Sequence, residues 1–519
     1  MLGKTRDRTI ETLANRNRKY SLVWDGLLVG LAAGAAAILY RLALERAEDW
    51  LGVVLGWIAG RSWAIAGWFL ALLAMALLVA RLLRAEPLIS GSGIPQVEGE
   101  MLGYLDHKWW RVLLCKAVGG WIALFAGLSL GREGPSIQLG AMAGKGIAHG
   151  LRRDRTREKY LLTCGASAGL AAAFNAPLAG VMFALEEVHK NFSVAVLVSV
   201  MTASVTADIL SKYVFGLAPV FSFPVDSLIP LGQYALVLGL GVLAGLLGAL
   251  YNAATLRSQD LYARIPAAFR LVPPFLLAGL LGLLMPQVLG SGHSMIELLT
   301  SGRVALGLAL ALLGVKFLFS LLSFGSGAPG GIFFPLLVLG AYVGGIYGML
   351  AVRWLGVDEA LVNNFIILAM AGYFTAIVRA PITGIILISE MTGSFSHLLS
   401  LSVVSIVAYV VADLAKSAPI YESLLQRILL KRNLETRPDE GVKVLVEAVV
   451  QHGSGLEGKR VREVHWPQSC LLVALRRGGA ELLPKGDTVI LPSDTLVALV
   501  SEAEAPEIRR VLERECTVV

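Results

Sequence analysis

The chain has 519 residues, 56% hydrophobic and 16% charged, with a mean hydropathy of +0.68 and a formal net charge of +7. A soluble domain carries about 25% charged residues, so a single water-soluble globule is excluded. The basic excess calls for no nucleic-acid partner, because it lies in short clusters of the kind that orient membrane proteins.

Residues 1–20 (MLGKTRDRTIETLANRNRKY) are charged over too long a stretch for a secretory signal and read as a cytoplasmic N-terminal segment. Residues 21–430 are apolar, glycine-rich and repeatedly interrupted. Runs such as Leu27–Leu42, Trp63–Ala80, Ala235–Leu250, Val304–Leu322 and Leu398–Val411 approach the ~20 residues that cross a bilayer. The predicted fold class is a polytopic α-helical membrane protein, though the short segments leave the number of spans open. The basic clusters Arg152–Lys159 (RRDRTREK) and Gln426–Arg432 (QRILLKR) are predicted to face the cytoplasm. Residues 431–440 read as a polar linker, and 441–519 as a small cytoplasmic α+β domain. In the latter, VKVLVEAVV, CLLVALRR and DTLVALVSE have strand character and APEIRRVLEREC has helical spacing. Cys115, Cys164, Cys470 and Cys516 are scattered without metal-site or disulfide spacing.

The membrane part repeats itself. Pro135–Gly144 (PSIQLGAMAG) matches Pro335–Gly344 (PLLVLGAYVG) at a constant offset of 200, pairing Glu133 with Phe333. Asn175–Glu187 (NAPLAGVMFALEE) matches Arg379–Met391 (RAPITGIILISEM) at an offset of 204. Interrupted segments at corresponding places in two halves point to a transporter's binding site. Each half holds G-x-x-x-P, as Gly131-Arg132-Glu133-Gly134-Pro135 and as Gly331-Ile332-Phe333-Phe334-Pro335. Proline fits the first turn of a helix, and glycine permits a tight entry. Each motif therefore predicts a loop opening into a helix, whose free N–H groups and partial positive charge attract an anion. Gly91-Ser92-Gly93-Ile94-Pro95 is a third such entry and adds a hydroxyl. Such a site is built from dipoles and hydroxyls, which suits an anion that must bind and also leave.

GSGIP, GREGP and GIFFP, in that order, resemble the signature segments of the CLC family of chloride channels and proton/chloride exchangers. The resemblance covers about residues 20 to 430. It implies an antiparallel internal repeat with interrupted helices, a homodimer, and one anion pathway per subunit. Carried onto this chain, it implies chloride-binding roles for the Ser92 hydroxyl, the Tyr421 phenol (in SAPIYESLL) and the backbone N–H groups of Ile332 and Phe333. Gly131, Arg132, Gly134 and Pro135 would frame the pathway. Glu133 matches the gating glutamate, a tethered anion that chloride displaces and protonation releases. Glu187 matches the inner proton-transfer glutamate of exchangers. The repeat singles it out: Glu186 has a counterpart in Glu390 and looks architectural, whereas Glu187 pairs with Met391. Lys116 matches a lysine of the family within the membrane, with a structural or electrostatic role. Serine at position 92 resembles chloride-handling members rather than nitrate- or fluoride-preferring ones.

Leu456–Glu463 (LEGKRVRE), Arg476-Arg477-Gly478-Gly479 and Pro484–Leu496 (PKGDTVILPSDTL) resemble the RCK-C (TrkA-C) type of regulatory module. That resemblance implies a bacterial inner-membrane protein whose cytoplasmic module takes a small regulatory ligand such as cyclic di-AMP, with Arg476 and Arg477 as phosphate partners. The stretch before the RRGG strand is shortened here to HWPQSC. No cofactor or metal is implied; chloride is the substrate, and protons and the bilayer are the other partners. Coupled proton/chloride antiport is thus the leading reading, and an uncoupled voltage- or ligand-gated chloride channel is the alternative. A third, remote reading is a membrane-embedded hydrolase. It rests only on Gly165-Ala-Ser167-Ala-Gly169, a G-x-S-x-G pattern without the strand that such a nucleophile turn requires.

Overall fold

The computed structural model describes the backbone of residues 2–190, 194–221, 225, 228–302, 304–432, 443–467, 470–478, 480–501 and 504–517. Side chains are described for these from residue 21 onward, except at 194 and 195. Most of the predicted linker 431–440 and the side chains of 1–20 therefore lie outside the described residues. The chain divides into two units, Met1–Leu425 and Gln426–Val519.

In the first unit the helices are α1 (Leu2–Ile58), α2 (Ser62–Ala85), α3 (Ile94–Leu102), α4 (Trp109–Phe125), α5 (Glu133–Gly150) and α6 (Arg155–Phe174). They continue with α7 (Pro177–Phe183), α8 (Val194–Phe215), α9 (Tyr234–Ala263), α10 (Val272–Leu284), α11 (His293–Thr300) and α12 (Leu306–Gly325). The last five are α13 (Phe333–Leu355), α14 (Val362–Val378), α15 (Pro381–Thr392), α16 (Leu398–Leu414) and α17 (Ile420–Lys431), which runs across the division. Among the described residues, seven helices are long and apolar enough to cross a bilayer. The run around Leu398–Val411, expected to span, forms a helix of 17 residues and belongs to a shorter class with α10 and α15. Val196–Phe215 does reach spanning length; its serines, threonines and Asp208 had masked it in the sequence.

The predicted repeat is present in three dimensions. Helix α1 packs on α6 and α8, as α9 packs on α14 and α16, and α5 packs on α6 as α13 packs on α14. At the centre, Gly131 and Gly331 exchange backbone hydrogen bonds of 2.6 and 2.8 Å as an antiparallel bridge. A residue bridged in this way to its own repeat counterpart sits on a two-fold axis, so the halves are antiparallel. Buried Lys116 donates to the carbonyls of Ile89 (2.9 Å) and Gly91 (2.6 Å), while Lys316 donates to those of Val288 and Gly290 (both 2.9 Å). Each lysine thereby ties down the loop that leads into α3 or α11. Glu186 accepts the N–H groups of Ile382 (3.3 Å) and Thr383 (2.8 Å) at the start of α15. Glu390 accepts those of Leu178 (3.0 Å) and Ala179 (2.8 Å) at the start of α7. Each half thus caps a short helix of the other, satisfying donors that lipid could not.

The G-x-S-x-G pattern lies inside α6, with no strand before it. A Cβ on Gly165 would come within 2.1 Å of the Gly140 carbonyl oxygen, so these glycines let α5 and α6 touch backbone to backbone. That packing accounts for the pattern, and Ser167 is buried in the same helix.

In the second unit an antiparallel sheet runs in the order β1-β4-β2-β3, from β1 (Lys443–Val449), β2 (Cys470–Arg477), β3 (Ala480–Leu482) and β4 (Thr495–Ser501). Helix α18 (Ala505–Cys516) packs on β1. Its buried stripe of Ile508, Leu512 and Cys516 meets Val446, Ala448, Leu496 and Ala498 of the sheet. Three strands and the helix stand where periodicity placed them. Strand β3 did not show in the sequence because three exposed residues carry no alternation.

Candidate functional site

Three loops converge where α3, α5 and α13 begin. Helix α3 starts at Ile94, α5 at Glu133 and α13 at Phe333, each at its glycine–proline motif. Gly134 is the contact point. A Cβ there would lie 2.9 Å from the Ser92 Cβ and carbonyl oxygen and 3.2 Å from the Gly331 Cα, so any larger residue would force the loops apart. Ser92 is 2% exposed, and its Oγ accepts the Ile94 N–H at 3.3 Å, which leaves its hydroxyl hydrogen free for an outside acceptor. Ile332 and Phe333 are fully buried, and the Phe333 ring packs among Phe174, Phe183 and Phe374.

Tyr421 is the second residue of α17 and is fully buried, and its Oη has no hydrogen-bond partner among the described residues. The loop in front of it is anchored from two sides. Asn252 Nδ2 donates to the Ile377 and Ala418 carbonyls and to Ser417 Oγ at 3.1–3.3 Å. Arg379 donates to the Ser417 carbonyl at 2.7 Å and to that of Tyr409. Asn252 and Arg379 are positioning residues that sequence reasoning missed. The repeat did align Arg379 with Asn175, and both adopt left-handed backbone at the ends of α14 and α6.

Glu133 opens α5 with its side chain turned back across the two-fold centre. Its Oε2 would stand 2.3 Å from a Cβ on Gly131, and the Phe334 N–H faces the same gap, 3.2 Å from that point. The carboxylate thus lies against the free backbone donors at the start of α13, fully buried, with neither oxygen in a complete hydrogen bond among the described residues. Arg132 pairs elsewhere: its Nη1 is 3.0 Å from Glu45, which also takes Arg41 at 3.0 Å, while its Nε stays 3.9 Å from Glu133. The Glu133 carboxylate therefore has only this long contact to a cation among the described residues.

Glu187 lies in a π-helical turn, Ala184–His189, that continues α7. Such turns recur at functional sites. Glu186 and Glu187, adjacent in sequence, point to different ends: Glu186 caps α15, whereas Glu187 is 5% exposed with Oε1 unpartnered among the described residues. Around it stand Glu98, Lys190 and Glu422. Tyr421 is within electrostatic reach of both Glu187 and Glu133.

Residues 67–413, more than half of the chain, match the family described as "Voltage gated chloride channel". The chain belongs to the CLC family. Over 441 residues it is 37% identical to the H(+)/Cl(-) exchange transporter ClcA of Vibrio cholerae, covering 82% of this chain and 93% of that protein. It is 34% identical over 442 residues to ClcA of Yersinia pestis, covering 82% and 92%. The solved structure of a slow cyanobacterial Cl-/H+ antiporter superposes with a TM-score of 0.75 at 31% identity, covering 79% of this chain and 99% of that one. A eukaryotic CLC transporter shares the fold at 24% identity, with a TM-score of 0.66 over 80% of this chain and 74% of its own. Residues 445–513 match the TrkA-C domain. This CLC protein is thus a multi-pass ion-transport protein, not an enzyme, with a TrkA-C module at its C-terminal end.

The structure gives the two arginines of that module internal partners. Arg477 makes a forked pair with fully buried Asp494, through Nε at 2.8 Å and Nη2 at 2.7 Å, and also donates to the Val489 carbonyl. Arg476 pairs across the sheet with Glu447 at 2.9 Å. For Asp494, burial works against the charge, but the Arg477 fork and the Leu491 N–H outweigh it and hold the carboxyl below the ordinary carboxylate range. A depressed folded value stabilises above the unfolded value of about 3.9, and that stabilisation is lost as pH falls through the folded one. Asp494→Asn should cost this unit about 2 kcal/mol near neutral pH and flatten its acid sensitivity below about pH 4. Amide exchange in β4 of the full-length protein measures this; equal protection in variant and parent would show that the pair carries no weight.

Proposed function

We propose that this CLC protein exchanges chloride for protons across a bacterial inner membrane as a homodimer, with its TrkA-C module in the cytoplasm. The observation that carries the reading is the Glu133 carboxylate, an anion on a tether lodged at the start of α13 where a free anion would sit. Ser92, Tyr421 and the N–H groups of Ile332 and Phe333 would hold the central chloride. Gly131, Gly134 and Pro135 shape the helix ends, and Arg132 stays with Glu45. Chloride displaces the carboxylate, and a proton taken up by Glu133 keeps it displaced. Glu187 would pass that proton to and from the opposite side. The exchange activity in the names of the bacterial relatives supports this assignment. So does Glu187, which an uncoupled channel would not need and whose repeat counterpart is Met391. Purified protein in liposomes tests it: an imposed chloride gradient should drive protons uphill. Chloride flux with no proton movement would establish the channel reading instead.

The same reading gives the TrkA-C module a regulatory ligand, with cyclic di-AMP the first candidate. Arg476, with an exposed side chain, is the better phosphate partner, since Arg477 is engaged by Asp494. Calorimetry on the full-length protein should show heat of binding by cyclic di-AMP in the micromolar range, weakened in Arg476→Ala; no heat at high micromolar ligand would remove the nucleotide from the account.

A further inference from the structure

The three groups of the transport site beyond Glu133 sit on three elements. Ser92 precedes α3, Tyr421 opens α17, and Glu187 lies in the π-helical turn. One side chain joins all three. Lys190 ends the π turn in a left-handed conformation (φ 52°) and places its ammonium 2.6 Å from Glu98 of α3 and 2.5 Å from Glu422 of α17. Glu98 lies six residues beyond Ser92, and Glu422 directly follows Tyr421. Glu98 is 2% exposed, and Lys190 is the cation within 4 Å of it among the described residues. The Glu98 Oε2 and the Glu187 Oε1 are both buried without partners.

We propose that Lys190 is a positioning residue that links the protonation of Glu187 to the separation of Ser92 and Tyr421; the inference rests on the exchange reading above. Ser92 precedes α3 and Tyr421 opens α17, so a shift of α17 relative to α3 would move the two with respect to each other and would break one arm of the Lys190 bridge. The charge on Glu187 decides how firmly the bridge holds. Lys190 ends the turn that holds Glu187, three residues on, so a charge on Glu187 draws on the ammonium and the bridge to Glu98 and Glu422 loosens. When Glu187 carries its proton, the ammonium belongs to the other two and the bridge tightens. A proton at Glu187 and an open path past Tyr421 therefore exclude one another, which is what tight coupling requires. The other charged neighbour, Glu186, is committed to α15, and His189 is turned to Thr163 Oγ1 at 3.1 Å. The Glu98 arm is the stronger, because its carboxylate is buried. The Glu422 arm joins two part-exposed groups and contributes less.

The test is the number of protons moved per chloride in liposomes, a ratio that a general loss of folded protein does not change. Lys190→Met should lower it by about three- to tenfold, the range seen when one element of a coupled network is removed. Lys190→Arg should keep most of it, and Glu422→Gln should lower it less, in the same direction. An unchanged ratio in Lys190→Met, even with both fluxes reduced, overturns the proposal. If that variant does not fold, an unchanged ratio in Glu422→Gln does so. A parent protein that never drives protons uphill instead defeats the exchange reading on which the proposal stands.

Discussion

Glu133→Gln is expected to reduce proton movement driven by a chloride gradient to background while chloride flux continues. Glutamine has nearly the shape of glutamate, so the start of α5 and the Gly131–Gly331 bridge should survive. What disappears is the ability to change charge. On the proposed mechanism the parent's carboxylate competes with chloride for the backbone donors at the start of α13, and only a proton ends that competition. A neutral amide neither competes as an anion nor carries a proton. Arg132 cannot substitute, because its guanidinium is engaged by Glu45 and stays 3.9 Å from Glu133. The measurement is paired chloride and pH recording on proteoliposomes. Uphill proton movement persisting in Glu133→Gln would defeat the assigned role.

Glu187→Gln should separate the two limbs from the other side, with chloride flux retained and proton movement reduced to background. Glu186→Gln is the informative neighbour. Glu186 accepts two backbone donors and the Thr383 hydroxyl at the start of α15, so its loss should cost about 1–2 kcal/mol of stability, as removal of a helix cap does. That loss should appear as a lower melting temperature in detergent with the proton-to-chloride ratio intact. Two adjacent glutamates would then differ in kind: one alters the ratio and the other alters stability. The reverse outcome would overturn both assignments.

Much of this was legible in the chain itself. The positions where α3, α5 and α13 begin follow from glycine and proline at fixed spacing, which act locally. The repeat follows from matched residues, and by itself it separates Glu187 from Glu186. Less legible were the residues that only position others. Asn252 is one amide in an apolar helix, more than 160 residues before the loop it holds. Lys316 could have been found by extending the offset of 200 upstream from Pro335 to the partner of Lys116. Arg477 looked available because its partner, Asp494, lies 17 residues on, in the loop just before β4.

By itself the sequence determined the membrane character, the internal repeat, the helix starts and the residue types able to hold an anion or a proton. These depend on local backbone preference and on the cost of polar groups in lipid, both of which can be read residue by residue. Only the tertiary structure decided what meets what: Gly134 against Ser92, the Glu133 carboxylate beside the Phe334 N–H, Glu186 on the partner helix, and Lys190 between Glu98 and Glu422. Such contacts join segments tens to hundreds of residues apart. They are chosen by the packing of whole helices, which no local pattern records.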